Sequence, residues 1–248
     1  MNGYLKTGKI MFKFLLATFL VYCSFGVASP LIVGTNAEFP PFTFREGREI
    51  VGFDIDVAKE IAKRLGKEIK FKDMPFDALI PDIVMGHVDF VAAGMSYTEE
   101  RAKRVLFTKP YLAEDPFVIL TLASKGVANV NELSGKTVVV NEGFTADLYL
   151  SEKPGIKLVR LPATADAFLA LTSGRSDAFV TAKSTVDVFM KTQDPAKFHV
   201  TAIAGTGETC ALVVSKKTPQ MLADIQNALD AMESDGTMAQ LKSKWNLR

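Results

Sequence analysis

Two stretches of this chain, 88 residues apart, share one grammar: a helical pattern ends in a glycine, and an aspartate three residues on opens a buried strand. The first reads Gly86-His87-Val88-Asp89-Phe90-Val91-Ala92 and the second Gly174-Arg175-Ser176-Asp177-Ala178-Phe179-Val180. In each, glycine supplies the left-handed turn that closes a helix without a Cβ clash. Around the first, apolar spacing predicts a strand at 31–35, a helix at 54–65 with Ile55, Ala58, Ile61, Ala62 and Leu65 on one face, a strand at 69–71, a helix at 76–85 and a strand at 89–93. Around the second, the rhythm restarts with strands at 137–141, 157–161 and 177–181 and helices at 146–150, 165–172 and 185–191. Strand, helix and strand in that order predict an α/β fold, a sheet with parallel strands covered by helices. Its recurrence predicts two modules of one kind.

Between the modules 117–122 is extended, and after the second a strand is expected at 210–215. The helical tail at 220–245 carries Leu222, Ile225, Leu229 and Met232 as one stripe and breaks at Gly236. That stripe needs a surface to cover. If it returns to the first module, the chain crosses between two lobes twice, near 111–117 and 205–211, with 29–112 and 208–248 in lobe 1 and 113–207 in lobe 2. Two side-by-side crossings make a hinge, and a hinge places a cleft between the lobes. Ligands of open α/β sheets sit beyond the C-terminal ends of the strands, which points to Thr35-Asn36, Ala93-Gly94, Glu142-Gly143 and Thr181-Ala182.

Composition removes several classes of function. With 29 Lys+Arg against 28 Asp+Glu there is no basic excess to drive binding to a nucleic-acid backbone. Two histidines and two cysteines without a CxxC pair exclude a Cys/His zinc centre. Ser134-Gly-Lys-Thr137 lacks the earlier glycine of a phosphate loop, Gly205-Thr-Gly207 lacks the third glycine of a dinucleotide turn, and no GxSxG elbow occurs, so no cofactor is expected.

The first 28 residues read as a signal peptide: Lys6, Lys9 and Lys13 without an acid, then fifteen uncharged residues to Ala28. A buried N-terminal helix, a lipid-bearing Cys23 and a start at Met11 are the other readings of this segment. Cleavage after Ala28 lowers the net charge from +1 to −2 and leaves Cys210 as the one cysteine, without a partner for an internal disulfide.

The sharpest chemical signal is Gly94-Met-Ser96-Tyr-Thr98-Glu-Glu-Arg101, directly after a buried strand. Ser96 and Glu99 have capping-box spacing, which predicts a short helix with Ser96 at its N-cap and Arg101 a turn further on. Helix N-terminus, hydroxyl and guanidinium together suit a carboxylate or another small anion. The second signal is aromatic: Phe39 and Phe42 follow the first strand and Phe76 follows Pro75; core packing accounts for some of these rings, while Phe39 and Phe76 fall at the cleft edge, placed to hold the apolar stem of a ligand.

In combination these segments resemble the bacterial extracellular solute-binding proteins of family 3, the polar amino-acid binders that feed ABC importers. The matching residues are Gly34-Thr-Asn-Ala-Glu-Phe-Pro-Pro-Phe42, Val51-Gly-Phe-Asp-Ile-Asp56, Phe76-Asp-Ala-Leu-Ile80, Gly86-His-Val-Asp89, Ala93-Gly-Met-Ser-Tyr-Thr-Glu-Glu-Arg101, Phe107-Thr-Lys-Pro-Tyr111 and Leu133-Ser-Gly-Lys-Thr-Val138. The resemblance implies the two-lobed periplasmic binding protein fold of type II, closing over one amino acid and handing it to a membrane ABC permease as an exported monomer. It implies Arg101 on the ligand carboxylate with help from Ser96 and Thr145, Phe39 and Phe76 flanking the side chain, Gly94 accepting from the α-ammonium, and Asn36 near the side-chain tip.

One position departs from the family pattern. The acid that holds the α-ammonium in many members falls here on Ala182, and Lys183 follows. An unpaired ammonium in a closed cleft is costly, so Glu208 or Glu142 is expected to replace that acid, or the ligand lacks an ammonium. Asn36, where binders of cationic side chains often carry aspartate, favours a neutral polar ligand such as glutamine, with Glu38 keeping cationic ligands open. A carboxylate-only substrate would suit a cyclohexadienyl dehydratase-like enzyme of the same fold, for which no positioned general acid is visible in the sequence. A ligand-sensing module is the third reading.

Overall fold

The computed structural model describes residues 29–247. Residues 1–28, read above as a signal peptide and including Cys23, lie outside the described residues.

The first half runs β1 (Leu31–Thr35), β2 (Glu38–Phe39), β3 (Thr43–Glu46), β4 (Glu49–Val51), α1 (Phe53–Arg64), β5 (Ile69–Asp73), α2 (Leu79–Met85), β6 (Phe90–Val91), α3 (Glu99–Ala102) and β7 (Val105–Phe107). Then come β8 (Leu112–Asp115), β9 (Phe117–Leu122), β10 (Thr137–Asn141), α4 (Thr145–Ser151), β11 (Lys157–Leu161), α5 (Thr164–Thr172), β12 (Ala178–Ala182), α6 (Lys183–Met190) and β13 (Phe198–Ala202). The chain ends with β14 (Glu208–Cys210), β15 (Val213–Ser215), α7 (Pro219–Ser234) and α8 (Thr237–Lys244).

Two five-stranded sheets form, in the orders β5-β1-β6-β15-β7 and β11-β10-β12-β9-β13. Each has three parallel strands in the sequence order second, first, third, followed by an antiparallel fourth. The repeated grammar therefore corresponds to a repeated topology. Its aspartates carry out the same task twice: Asp89 accepts the Ile32 N–H at 2.7 Å, and Asp177 accepts the Thr137 N–H at 3.0 Å. Each aspartate also donates its own N–H to the carbonyl of the residue it caps, so the third strand is pinned to the start of the first. Gly86 and Gly174 have φ of 84° and 74°, the left-handed conformation that frees the chain to turn into the aspartate.

Strand alternation builds a core on each face of each sheet. In the first sheet Leu31, Val33 and Phe90 face α1 and α7 with Phe53, Ile61, Leu229 and Met232, while Val91 and Val213 face α2 with Leu79 and Ile83. In the second, Val138, Val140 and Val180 pack with Leu150, and Val139 and Phe179 with Phe168 and Leu171. Each fully buried aliphatic or aromatic side chain contributes ~1.5–3 kcal/mol. The tail stripe covers the first sheet as its periodicity demands, with Ile225, Leu229 and Met232 buried and Leu222 packed at the margin.

The strand expected at 210–215 is two strands. β14 pairs with β8, and β15 joins the first sheet between β6 and β7. The break falls where the Ala211 N–H turns to the Met95 carbonyl and the Leu212 N–H to the Thr108 hydroxyl, outside either ladder. Antiparallel β8 and β14 run side by side between the two sheets.

Candidate functional site

The residues after β1 and β6 in one sheet and after β10 and β12 in the other face each other. These are the switch points where strand order reverses, the positions at which α/β sheets open a crevice.

Gly94 turns the chain after β6 with φ of 58°, and a Cβ there would lie 2.7 Å from Phe39 Cε1, so glycine is required by backbone and by space. The turn is held by Asp54 in the first turn of α1, which accepts the Gly94 N–H at 2.6 Å and the Tyr111 hydroxyl at 2.8 Å. Asp54 is fully buried, and burial pushes its carboxyl up to about 6 against the opposing pull of these two donors. Sequence reasoning quoted Asp54 and Tyr111 within motifs without assigning them this role, because the contact joins segments far apart in the chain.

Arg101 is buried, with Nη1 donating to the Ser96 carbonyl at 2.7 Å and Nη2 to the Gly143 carbonyl at 2.9 Å. Its guanidinium also lies over the Phe76 ring, 5.3 Å from the centroid. Burial lowers its pKa, opposed by the charge of Glu208. The expected capping box is corrected: α3 spans only Glu99–Ala102, and its N-cap is Thr98, whose hydroxyl accepts the Arg101 N–H at 3.2 Å. Ser96 is occupied elsewhere. It bridges to Cys210, its hydroxyl donates to Glu208, and it accepts the Thr209 N–H at 3.2 Å.

Glu208, at the start of β14, is buried in this cluster, hydrogen-bonded by Ser96 and with Thr145 close enough to favour its charge. Burial pushes its carboxyl up to about 7, although those hydroxyls and the Arg101 charge pull the other way. Glu142 is exposed, so the structure separates the two acids that the sequence left level: only Glu208 joins Arg101, Ser96 and Thr145. Ala182 is buried, and Lys183 turns outward to Asp187 at the i,i+4 spacing, adding no charge to the cluster.

Asn36 is nearly buried, its amide donating to the Met74 carbonyl at 3.1 Å while Oδ1 has no partner. Phe39 and Phe76 come to the same place, but they do not flank an open slot. The ring of Phe144 stands between them, 4.8 Å from Phe39 in a T-shaped contact and 4.6 Å from Phe76. The sequence reading passed over Phe144, whose one signal was its position between Gly143 and Thr145. Across the same junction, the Thr185 hydroxyl donates to the Pro40 carbonyl at 2.9 Å. A cavity of about 500 Å³ is lined by Glu38, Pro40, Phe44, Arg45, Thr185 and Phe189 among others; of the expected candidates it is bordered by Glu38, the acid considered for a cationic ligand, and by none of the Arg101 cluster. Among the described residues no cluster of three or more His, Cys, Asp or Glu is arranged to hold a metal ion.

Residues 31–248 match the family model described as bacterial extracellular solute-binding proteins, family 3. The arginine-binding extracellular protein ArtP of Bacillus subtilis is 33% identical over 87% of this chain and 85% of its own. ABC transporter arginine-binding protein 1 of Escherichia coli is 33% identical over 95% and 99%. Among solved structures, an ancestral arginine-binding protein bound to arginine superposes with a TM-score of 0.83 at 37% identity, covering 88% of this chain and 99% of that one. The fold is that of the two-lobed periplasmic binding proteins, and this chain belongs to the bacterial extracellular solute-binding proteins of family 3.

Proposed function

We propose that this chain is the substrate-binding component of an ABC importer, capturing a polar amino acid, glutamine-like or basic, and delivering it to a membrane permease. The observation that carries this reading is the buried Arg101 guanidinium set at the meeting of two sheets, within one cluster with Ser96, Thr145 and Glu208. A guanidinium in that position favours a carboxylate. Glu208 is the acid near enough to replace the one missing at Ala182 as partner of an α-ammonium, together with the Gly94 carbonyl. The free Asn36 Oδ1 suits a ligand tip that donates, which an amide and a guanidinium both do. Phe39 and Phe76 line the stem.

In this reading lobe 1 comprises 29–112 and 208–248, lobe 2 comprises 113–207, and β8 with β14 is the hinge. The relatives named as arginine-binding, extracellular and ABC-transporter proteins support an exported protein that works outside the cytoplasm, with 1–28 as its leader. Thermal-shift measurements on residues 29–248 against the twenty amino acids, ornithine, citrulline, dipeptides and small dicarboxylates test it, since a ligand of the folded state raises the melting temperature by mass action. A shift with glutamine or basic amino acids is expected. A shift only with carboxylates that lack an ammonium would overturn the amino-acid reading.

A further inference from the structure

Phe144 belongs to the N-cap of α4, beside the second sheet, yet its ring is buried in the hydrophobic cluster of the first. It is 4% exposed. With ring centroids at 4.8 Å and 4.6 Å from Phe39 and Phe76, it takes up the space between them, because aromatic groups in contact pack at these separations and leave no room for another group. Gly143 and Thr145, its neighbours, meet Arg101 and Glu208. The group that blocks the aromatic slot is therefore covalently adjacent to the groups around the carboxylate cluster.

We propose that Phe144 is a specificity-determining residue: its ring holds the place between Phe39 and Phe76 that a side chain longer than a methyl group must take, so such a side chain is accepted only if it gains more there than the phenyl ring does. This rests on the amino-acid reading above and extends it. Displacing the ring imposes a common penalty on every side chain that enters the slot. A side chain no longer than a methyl group does not enter and escapes the penalty. Planar groups that stack on aromatic faces, such as an amide or a guanidinium, recover most of what the phenyl contacts supplied, whereas short alkyl chains recover less. Residues 142–145 thus set which side chains are worth closing on.

The test is calorimetric titration of wild type and Phe144→Ala with L-arginine, L-glutamine and L-alanine. Removing the ring should tighten L-arginine or L-glutamine tenfold or more and leave L-alanine within about twofold, a change of ratio that a general loss of packing would not produce. Equal affinities in the two proteins, or weaker binding of the long side chains by the variant, would overturn the proposal and leave the amino-acid function standing. Absence of binding by both proteins, for these three and for every amino acid of the thermal-shift panel, would overturn the function and the proposal together. A second measurement does not depend on Phe144→Ala folding and needs only the milder Phe144→Leu for assignment. In wild type labelled with 4-fluorophenylalanine, with the Phe144 resonance assigned by its loss in Phe144→Leu, saturating ligand should move that resonance out of its ring-current position. An unmoved resonance at saturation overturns the proposal.

Discussion

Arg101 donates through Nη2 to the carbonyl of Gly143 at 2.9 Å, so one guanidinium ties the segment after β6 to the segment after β10. The other terminal nitrogen is spent on Ser96. Lysine keeps the charge but has no fork with which to hold two partners in fixed directions. Arg101→Lys is expected to weaken amino-acid binding about 100-fold, equivalent to ~2.7 kcal/mol. Calorimetry on the folded variant checks this, and wild-type affinity would remove Arg101 from the carboxylate role.

Glu208 predicts a pH dependence. Its carboxyl titrates near 7 in the folded protein because burial disfavours the charge. An α-ammonium needs the ionised form, so affinity should fall as pH drops through 7, by roughly tenfold or more between pH 8 and pH 5.5 if this group alone titrates. Glu208→Gln should bind weakly at both values and show no such slope. A full-affinity, pH-independent Glu208→Gln protein would exclude Glu208 as the partner.

The same groups act on stability with a definite sign. For Glu208 and Asp54 the folded pKa, about 7 and about 6, lies above the ordinary carboxylate value, so the folded state binds more protons than the unfolded chain between the two. Their contribution is present below the unfolded pKa near 4 and is lost as pH rises through 6 to 7. Denaturant unfolding of Glu208→Gln and Asp54→Asn against pH should show a flatter curve over this window than wild type. An identical curve in both variants would contradict the assignment.

Gly94→Ala should damage both fold and site. The added methyl meets the Phe39 ring at 2.7 Å, and alanine is strained at φ of 58°. A loss of ~1–3 kcal/mol is expected from backbone strain and overpacking. Thermal melting measures it, and an unchanged melting temperature with unchanged affinity would show that the turn is not fixed as described.

The paired aspartates make a symmetric prediction. Asp89→Ala and Asp177→Ala each remove the acceptor of one strand-opening N–H, Ile32 or Thr137, at a cost of ~1–3 kcal/mol. Because the two sites sit in different sheets, the double variant should lose close to the sum. Hydrogen exchange should place each effect in its own sheet, and a loss of protection in both sheets from either single change would refute that independence.

Much of this architecture is legible along the chain, because the signals that specify it are local. Apolar periodicity marks β1, α1, β10 and α7, and Gly86 and Gly174 close α2 and α5 within a few residues. The cap of α3 is not legible locally, because Ser96 and Thr98 are both good capping residues and only the distant Glu208 and Cys210 claim the first. Glu142 and Glu208 were equal candidates for the same reason: a carboxylate's direction depends on what its backbone is packed against.

The sequence by itself determined two α/β modules of one topology, the Gly-Asp junction that closes each, and the helical tail that covers the first. These follow from short-range patterns of polarity and from residues that alone tolerate a given backbone. Only the tertiary structure decided that Asp54 and Tyr111 hold the Gly94 turn, that Glu208 and not Glu142 joins Arg101, and that Phe144 stands between Phe39 and Phe76. Each of these depends on the balance of burial, hydrogen bonding and charge among side chains that the chain brings together only after both sheets have formed.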